Sequence, residues 1–183
     1  IHIERGGRRV LFDTGQGRVL ADNARRMAVS LEDTDTVVLS HGHYDHTGGL
    51  GVVLNAAGEI PVYAHPAAFK PKYSRSDSGN VREIGIPFAL KDIGRRADIV
   101  YVEGPIEIAD GCWVTGPVPR ETGFEDTGGP FFVDPECSDA DDLVDDQAVF
   151  FEGARGTVVI LGCAHAGVVN TLQYVRALTG GGK

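Results

Sequence analysis

Apolar and polar residues alternate over Ile1-His2-Ile3-Glu4 and again from Val10 to Asp13, with Arg5-Gly6-Gly7-Arg8 between them. That pattern predicts a hairpin whose glycines supply the turn. Val19, Leu20, Ala24 and Met27 then recur at helical spacing, predicting an amphipathic helix over about 17–29. Thr36 to Ser40 is apolar enough for a strand buried on both faces, and Gly49 to Ala57 reads as the next helix. Ile60-Pro61-Val62-Tyr63-Ala64 reads as a strand with its proline near the start, where a missing N–H is tolerated. From Pro66 to Gly94 the chain is rich in Pro, Ser and Lys with weak periodicity, which predicts a long irregular excursion of the kind that often serves function.

Alternation resumes at Asp98 to Val102, Ile106 to Ile108 and Cys112 to Thr115. The acidic segment Asp134 to Asp146 reads as a solvated surface loop. A second hairpin is expected over Gln147 to Glu152 and Thr157 to Leu161, turning at Gly153-Ala154-Arg155-Gly156. Val168, Leu172, Val175 and Leu178 define a closing helix face. No internal repeat is evident.

Composition narrows the classes. A chain of 183 residues, 42% of them hydrophobic, suits one domain over 1–183 with an ordinary core. The net charge of −9 disfavours nucleic acid as a partner, because that binding rests on clustered Lys and Arg. Small molecules or proteins are the expected partners, and oligomeric state is left open. Cys112, Cys137 and Cys163 are odd in number and lack CxxC spacing, which fits a reducing, cytoplasmic setting. No apolar run nears the roughly 20 residues of a membrane helix, and no basic segment precedes an apolar one at the start. The chain begins at Ile1 inside an alternating stretch and stops at Gly180-Gly181-Gly182-Lys183, so it reads as a fragment.

The chemistry concentrates in Val-Leu-Ser-His-Gly-His-Tyr-Asp-His-Thr-Gly-Gly-Leu, Val38 to Leu50. His41, His43, Asp45 and His46 crowd the exit of the buried strand. If extended geometry persists past Ser40, His41 and His43 point the same way and can share one ion, with Gly42 keeping the backbone between them permissive. Asp45 and His46 are consecutive and diverge, which suits a second ion. Imidazole and carboxylate ligands with open positions match a catalytic zinc-type centre, whereas a closed structural site would normally show thiolates.

That run, with Leu-Phe-Asp-Thr-Gly-Gln-Gly at Leu11 to Gly17, resembles the metallo-β-lactamase superfamily. Leu161 to Leu172 (LGCAHAGVVNTL), Asp145 to Gln147 (DDQ) and Pro119 to Glu125 (PRETGFE) are similar to the subgroup typified by 7,8-dihydropterin-6-methyl-4-(β-D-ribofuranosyl)aminobenzene 5'-phosphate synthase. The resemblance implies an α/β (α+β) fold, the αββα sandwich of metallo-β-lactamase type, truncated at both ends, with metals at one edge of the two sheets. It matches His41, His43, Asp45 and His46 position by position to the first metal motif, and makes His43 and Asp45 the residues expected to be essential for catalysis. Many relatives place a histidine before the late hairpin, where this chain has only Asp145 and Asp146; at the next ligand position it has Cys163, with His165 two residues on. His165, leaving a buried strand at the same kind of edge as His41, is the preferred further ligand. Cys163 reads first as a buried, core-packing side chain and second as a ligand. Asp146 is a further candidate ligand, and Asp13 a carboxylate that orients histidines. His65 is either a pocket residue or a structural histidine at a strand end.

The expected cofactor is one or two divalent ions, zinc first, with iron or manganese as alternatives. Such an ion lowers the pKa of bound water from 15.7 toward about 7, giving hydrolysis. In the subgroup's named reaction it would instead stabilise a phosphate leaving group, which makes hydrolase and transferase chemistry both compatible with the motif. Lys70, Lys72 and Arg75 are candidate contacts to a phosphorylated substrate, against the plainer reading of solvated loop cations. Two other readings stand beside these: an iron redox enzyme on the same fold, disfavoured because diiron relatives usually carry Glu at the place of His43, and a non-catalytic truncated product.

Overall fold

Leu11 and Val37 face one buried layer while their chain neighbours Val10, Phe12 and Val38 face another, so two adjacent strands carry apolar side chains on both sides. This is period-two alternation with neither face left to solvent, the arrangement of strands at the middle of a layered fold. The computed structural model describes residues 1–93 and 96–181. In chain order its elements begin with β1 (His2–Arg5), β2 (Arg8–Phe12), α1 (Leu20–Arg26), β3 (Thr36–Val38), α2 (Tyr44–Thr47), α3 (Leu50–Ala57) and β4 (Ile60–Ala64). A 3₁₀ turn (Pro66–Phe69), β5 (Tyr73–Arg75), β6 (Val81–Glu83), α4 (Leu90–Ile93) and β7 (Ala97–Tyr101) follow. The rest is β8 (Ile106–Ala109), β9 (Cys112–Val114), β10 (Phe131–Phe132), β11 (Val149–Gly153), β12 (Gly156–Ile160) and α5 (Val168–Leu178).

The first sheet has the order β1-β2-β3-β4-β7, antiparallel at β1/β2 and parallel thereafter. One face packs Leu11, Val37 and Val62 against Leu50, Val53 and Leu54 of α3. The other packs Ile3, Val10, Phe12 and Val38 against Cys112, Val114 and Val149 of the second sheet, which has the order β12-β11-β9-β8. Each such fully buried Val or Leu stabilises the fold by roughly 1.5–3 kcal/mol. Trp113 and Phe150, paired across β9 and β11, point away from that interior and border a groove with Leu178 and Thr179 at the end of α5. The layers are therefore helix, sheet, sheet, helix, as the resemblance implied. Among the described residues no helix is long and apolar enough to cross a membrane.

Several expectations need correction. The amphipathic helix over 17–29 is shorter, Leu20–Arg26, and buries no residue fully; Val19 and Met27, counted on its apolar face, lie outside it and are exposed. The excursion over 66–94 is not irregular, because β5 and β6 form a hairpin that pairs with β10 into a third sheet, order β10-β5-β6. The last residue of that excursion, Gly94, and the terminal Gly182 and Lys183 lie outside the described residues. β3 ends at Val38, two residues early: the Leu39 N–H still reaches Tyr63 O, at 2.9 Å, but the chain then bends into the site. β11 starts at Val149 rather than Gln147, since Gln147 donates its backbone N–H to Ser40 O at 3.0 Å and its side-chain amide to Leu39 O at 2.7 Å.

Candidate metal centre

Everything from Leu39 to His43 is buried, and His43 forms the extended N-cap residue of α2, which carries Tyr44, Asp45 and His46. The chain past Ser40 is thus a bend into a short helix rather than a continued strand. His41 and His43 converge nonetheless, with His41 Nε2 and His43 Nδ1 3.0 Å apart. From the other side of the sandwich, the loop after β12 brings His165 to ring-centroid distances of 4.8 Å from His41 and 5.2 Å from His43. One ligand atom from each of His41, His43 and His165 falls in a group spanning no more than 4.8 Å, and a second such group joins His41, His46 and Cys163.

Ser40 and Asp13 set the orientation of the rings. Asp13 leaves β2 with a left-handed φ of 58° and turns its carboxylate onto Ser40, accepting the backbone N–H at 2.7 Å and the hydroxyl at 2.8 Å. Because that hydroxyl has spent its one proton on Asp13, its contact with His41 Nδ1 at 2.9 Å requires the imidazole to donate. His41 Nε2 is therefore the lone-pair nitrogen, and it is the one facing His43. Asp13 also holds His46 Nδ1 at 2.7 Å, directing His46 Nε2 to Cys163 Sγ at 3.1 Å. Asp13 thus joins Ser40 and His46 in one hydrogen-bonded set, with His41 attached through Ser40.

The electrostatics divide the histidines into two kinds. Burial, then the neighbouring imidazoles, keeps the His41 ring neutral well below the usual histidine range. Burial together with His165 and Lys72 brings His43 down to about 4. His46 goes the other way: burial pulls it down, but the hydrogen bonds to Asp13 and Cys163 outweigh this and raise it to about 10. Hydrogen bonds from His165 and His46 lower the Cys163 thiol to about 7. A depressed His43 pKa means that stability is complete above the free value of 6.5 and is lost as pH falls through about 4. The metal-free protein should therefore show a falling thermal midpoint across that window in the presence of a chelator, and His43→Asn should flatten the fall. A midpoint independent of pH there would mean that His43 titrates normally.

Other expected site residues end up in different roles. Cys163 is not packed in the core; it is exposed, while Cys112 and Cys137 are the buried ones. Asp45 lies at the rim with its side chain 44% exposed and Oδ2 3.8 Å from His46 Nε2, outside both ligand groups. Asp146 is buried, which raises its pKa, and its Oδ2 accepts the Ala166 N–H at 2.8 Å beside His165. His65 caps the 3₁₀ turn by accepting the Ala67 N–H at Nδ1, 3.2 Å, leaving only Nε2 for a substrate.

Lys72 must be withdrawn as a phosphate contact, since it is 1% exposed and its ammonium is paired with Asp141 at 2.7 Å and Asp145 at 3.0 Å. Lys70 and Arg75 remain exposed, Arg75 over the Phe132 ring at 4.8 Å. The structure adds Phe131, whose ring stands 5.1 Å from that of His43 and 5.3 Å from that of His165. Its only sequence signal is an aromatic pair after Gly-Gly-Pro.

The donor set fits a divalent cation. Two nitrogens bound to one tetrahedral zinc at 2.0–2.1 Å stand about 3.3 Å apart, close to the His41–His43 contact. His165 Nε2 is buried with no hydrogen-bond partner, an orphan that a cation would satisfy. Residues 2–181 match the family model of the metallo-β-lactamase superfamily. The chain belongs to the metallo-β-lactamase superfamily.

Within it, an uncharacterized protein of Methanocaldococcus jannaschii is 35% identical over 179 residues, covering 97% of this chain and 66% of the relative. The 7,8-dihydropterin-6-methyl-4-(β-D-ribofuranosyl)-aminobenzene-5'-phosphate synthase of the same organism is 27% identical over 192 residues, covering 98% of this chain and 64% of the synthase. A crystal structure of a metal-dependent hydrolase of the β-lactamase superfamily superposes with a TM-score of 0.75 at 30% identity, over 92% of this chain and 60% of that one. The chain thus spans somewhat less than two thirds of the length of these superfamily relatives.

Proposed function

We propose that the chain is the metal-binding part of a metal-dependent hydrolase or transferase acting on a small molecule, with His41, His43 and His165 holding a first divalent ion and Asp45, His46 and Cys163 serving a second. The observation that carries this reading is the pair of facing ring nitrogens of His41 and His43, 3.0 Å apart, with the orphaned His165 Nε2 beside them. Three neutral imidazoles are what such an ion needs, and burial keeps His41 and His43 in that form.

A bound divalent ion supplies a Lewis acid and lowers the pKa of nearby water. Asp45 Oδ2, at the rim 3.8 Å from His46 Nε2, would complete the second group, and the Phe131 ring stands against the His43 and His165 rings. Hydrolysis is the first reading, supported by the 30% identical hydrolase. The synthase relative favours the second, transfer with release of a phosphate-bearing leaving group, for which Lys70 and Arg75 are the candidate contacts.

Elemental analysis of the purified protein should find zinc, or iron if the redox reading is right, and chelation should abolish turnover. Bis-p-nitrophenyl phosphate hydrolysis and diphosphate release from a dihydropterin methyl diphosphate with an arylamine phosphate acceptor separate the two chemistries. A protein that retains no divalent ion when supplied with zinc, iron or manganese would overturn the proposal.

A further inference from the structure

Lys72, Asp145, Asp146 and Gln147 are buried polar side chains outside the ring cluster; the last three are tied to backbone that carries or flanks a candidate ligand, and Lys72 is paired with Asp145. Asp145 Oδ2 accepts the N–H of Gly42, the residue between His41 and His43, at 2.7 Å. Its other oxygen accepts from Lys72 Nζ at 3.0 Å, and Lys72 reaches on to Asp141 at 2.7 Å. Gln147 grips the same bend twice, through Leu39 O and Ser40 O. Asp146, between them, points the other way and accepts the Ala166 N–H, next to His165. Three consecutive residues therefore hold the loop of His41 and His43 with their odd members and the loop of His165 with the even one.

A buried ion pair of this kind is a weak source of stability, since desolvation offsets the attraction. What it does supply is position. We propose that the Asp145-Asp146-Gln147 segment forms a buried brace that sets the distance between the two histidine loops, making these three positioning residues for a metal centre they do not touch, while Lys72 neutralises the buried charge of Asp145. The inference rests on the reading of His41, His43 and His165 as ligands. Asp145 fixes the backbone between two imidazoles, Gln147 holds the bend that precedes them, and the peptide continuity from Asp145 to Asp146 transmits that position to His165.

The test is Co²⁺ titration of the protein followed by visible absorption, with far-UV circular dichroism of each metal-free variant. The K72M/D145N double variant removes both charges but keeps an oxygen that can accept from Gly42, and should bind within about threefold of the parent with the same ligand-field bands. The K72M/D145L variant removes the acceptor as well; it should bind about 10-fold or more weakly, with shifted bands, at unchanged secondary structure. Should that variant fail to fold, Gln147→Met, which deletes only the side-chain bond to Leu39, carries the same expectation of weaker binding and shifted bands. Parent-like affinity and spectra in the acceptor-less variant, or in Gln147→Met where it stands in, overturn the brace alone. Absence of any ligand-field band in the parent protein overturns the underlying reading of the site instead.

Discussion

His165→Ala should lower affinity for zinc by at least about 100-fold, the upper end of what loss of an outer partner alone produces, and abolish turnover while leaving the fold in place. The reason is geometric. His165 arrives on a loop after β12, on the second sheet, whereas His41 and His43 leave β3 of the first, so removing it leaves two imidazoles from one loop and opens one side of the centre. The side chain contributes little to the core, whose two layers are built from Val, Leu, Ile, Phe and Ala side chains and Cys112. His43→Ala should behave alike in affinity. Isothermal calorimetry with zinc, circular dichroism and thermal melts of the metal-free variants check this together. Undiminished zinc affinity in His165→Ala would remove it from the ligand set, and global unfolding on chelation of the parent would make the metal structural rather than catalytic.

How much of this was legible in the sequence follows from the range of the interactions involved. Local patterns were readable: the two hairpins and α5 depend on neighbours within a few residues, and the buried β3 and the strand at Ile60 to Ala64 show as apolar runs in the chain itself. The cluster of His41, His43 and His46 was readable because four metal-capable residues fall in six positions. The short strands β5, β6 and β10 were not, since β10 has two residues and β5 and β6 three each, too few for period two to show, and β10 reaches β5 only across more than fifty residues. Lys72 was misread for a related reason: a lysine in a polar loop is ordinarily solvated, and only the fold brings Asp141 and Asp145, about seventy positions away, to its ammonium. Cys163 was misread because the usual burial of lone cysteines says nothing of one that follows a strand into a site. Gly42 was assigned backbone freedom, and its φ is not in the left-handed region; what it provides is space.

That space gives the second large effect. A methyl group on Gly42 would fall inside the backbone carbonyl of Ala68, and main chain cannot step aside as a flexible side chain can. Gly42→Ala should therefore push the His41–His43 bend away from the 3₁₀ turn, breaking the 2.7 Å bond from its N–H to Asp145 and the facing contact of the two rings. Overpacking typically costs about 1–3 kcal/mol, and a methyl that meets buried main chain belongs at the upper end of that range. For a chain of this length that corresponds to a fall of roughly 10 °C in thermal midpoint. Zinc affinity should drop further than stability alone accounts for, since the ligands move with the backbone. Gly51→Ala is the matched control: it sits in α3, a Cβ there meets nothing within 4 Å, and alanine favours a helix interior over glycine by roughly 0.5–1 kcal/mol. The two substitutions add the same methyl nine residues apart and should move the melting midpoint in opposite directions, with zinc binding lost in one and kept in the other. Equal midpoints, or a Gly42→Ala protein that binds zinc like the parent, would show that the bend can relax and that its close contact with Ala68 does not set the centre.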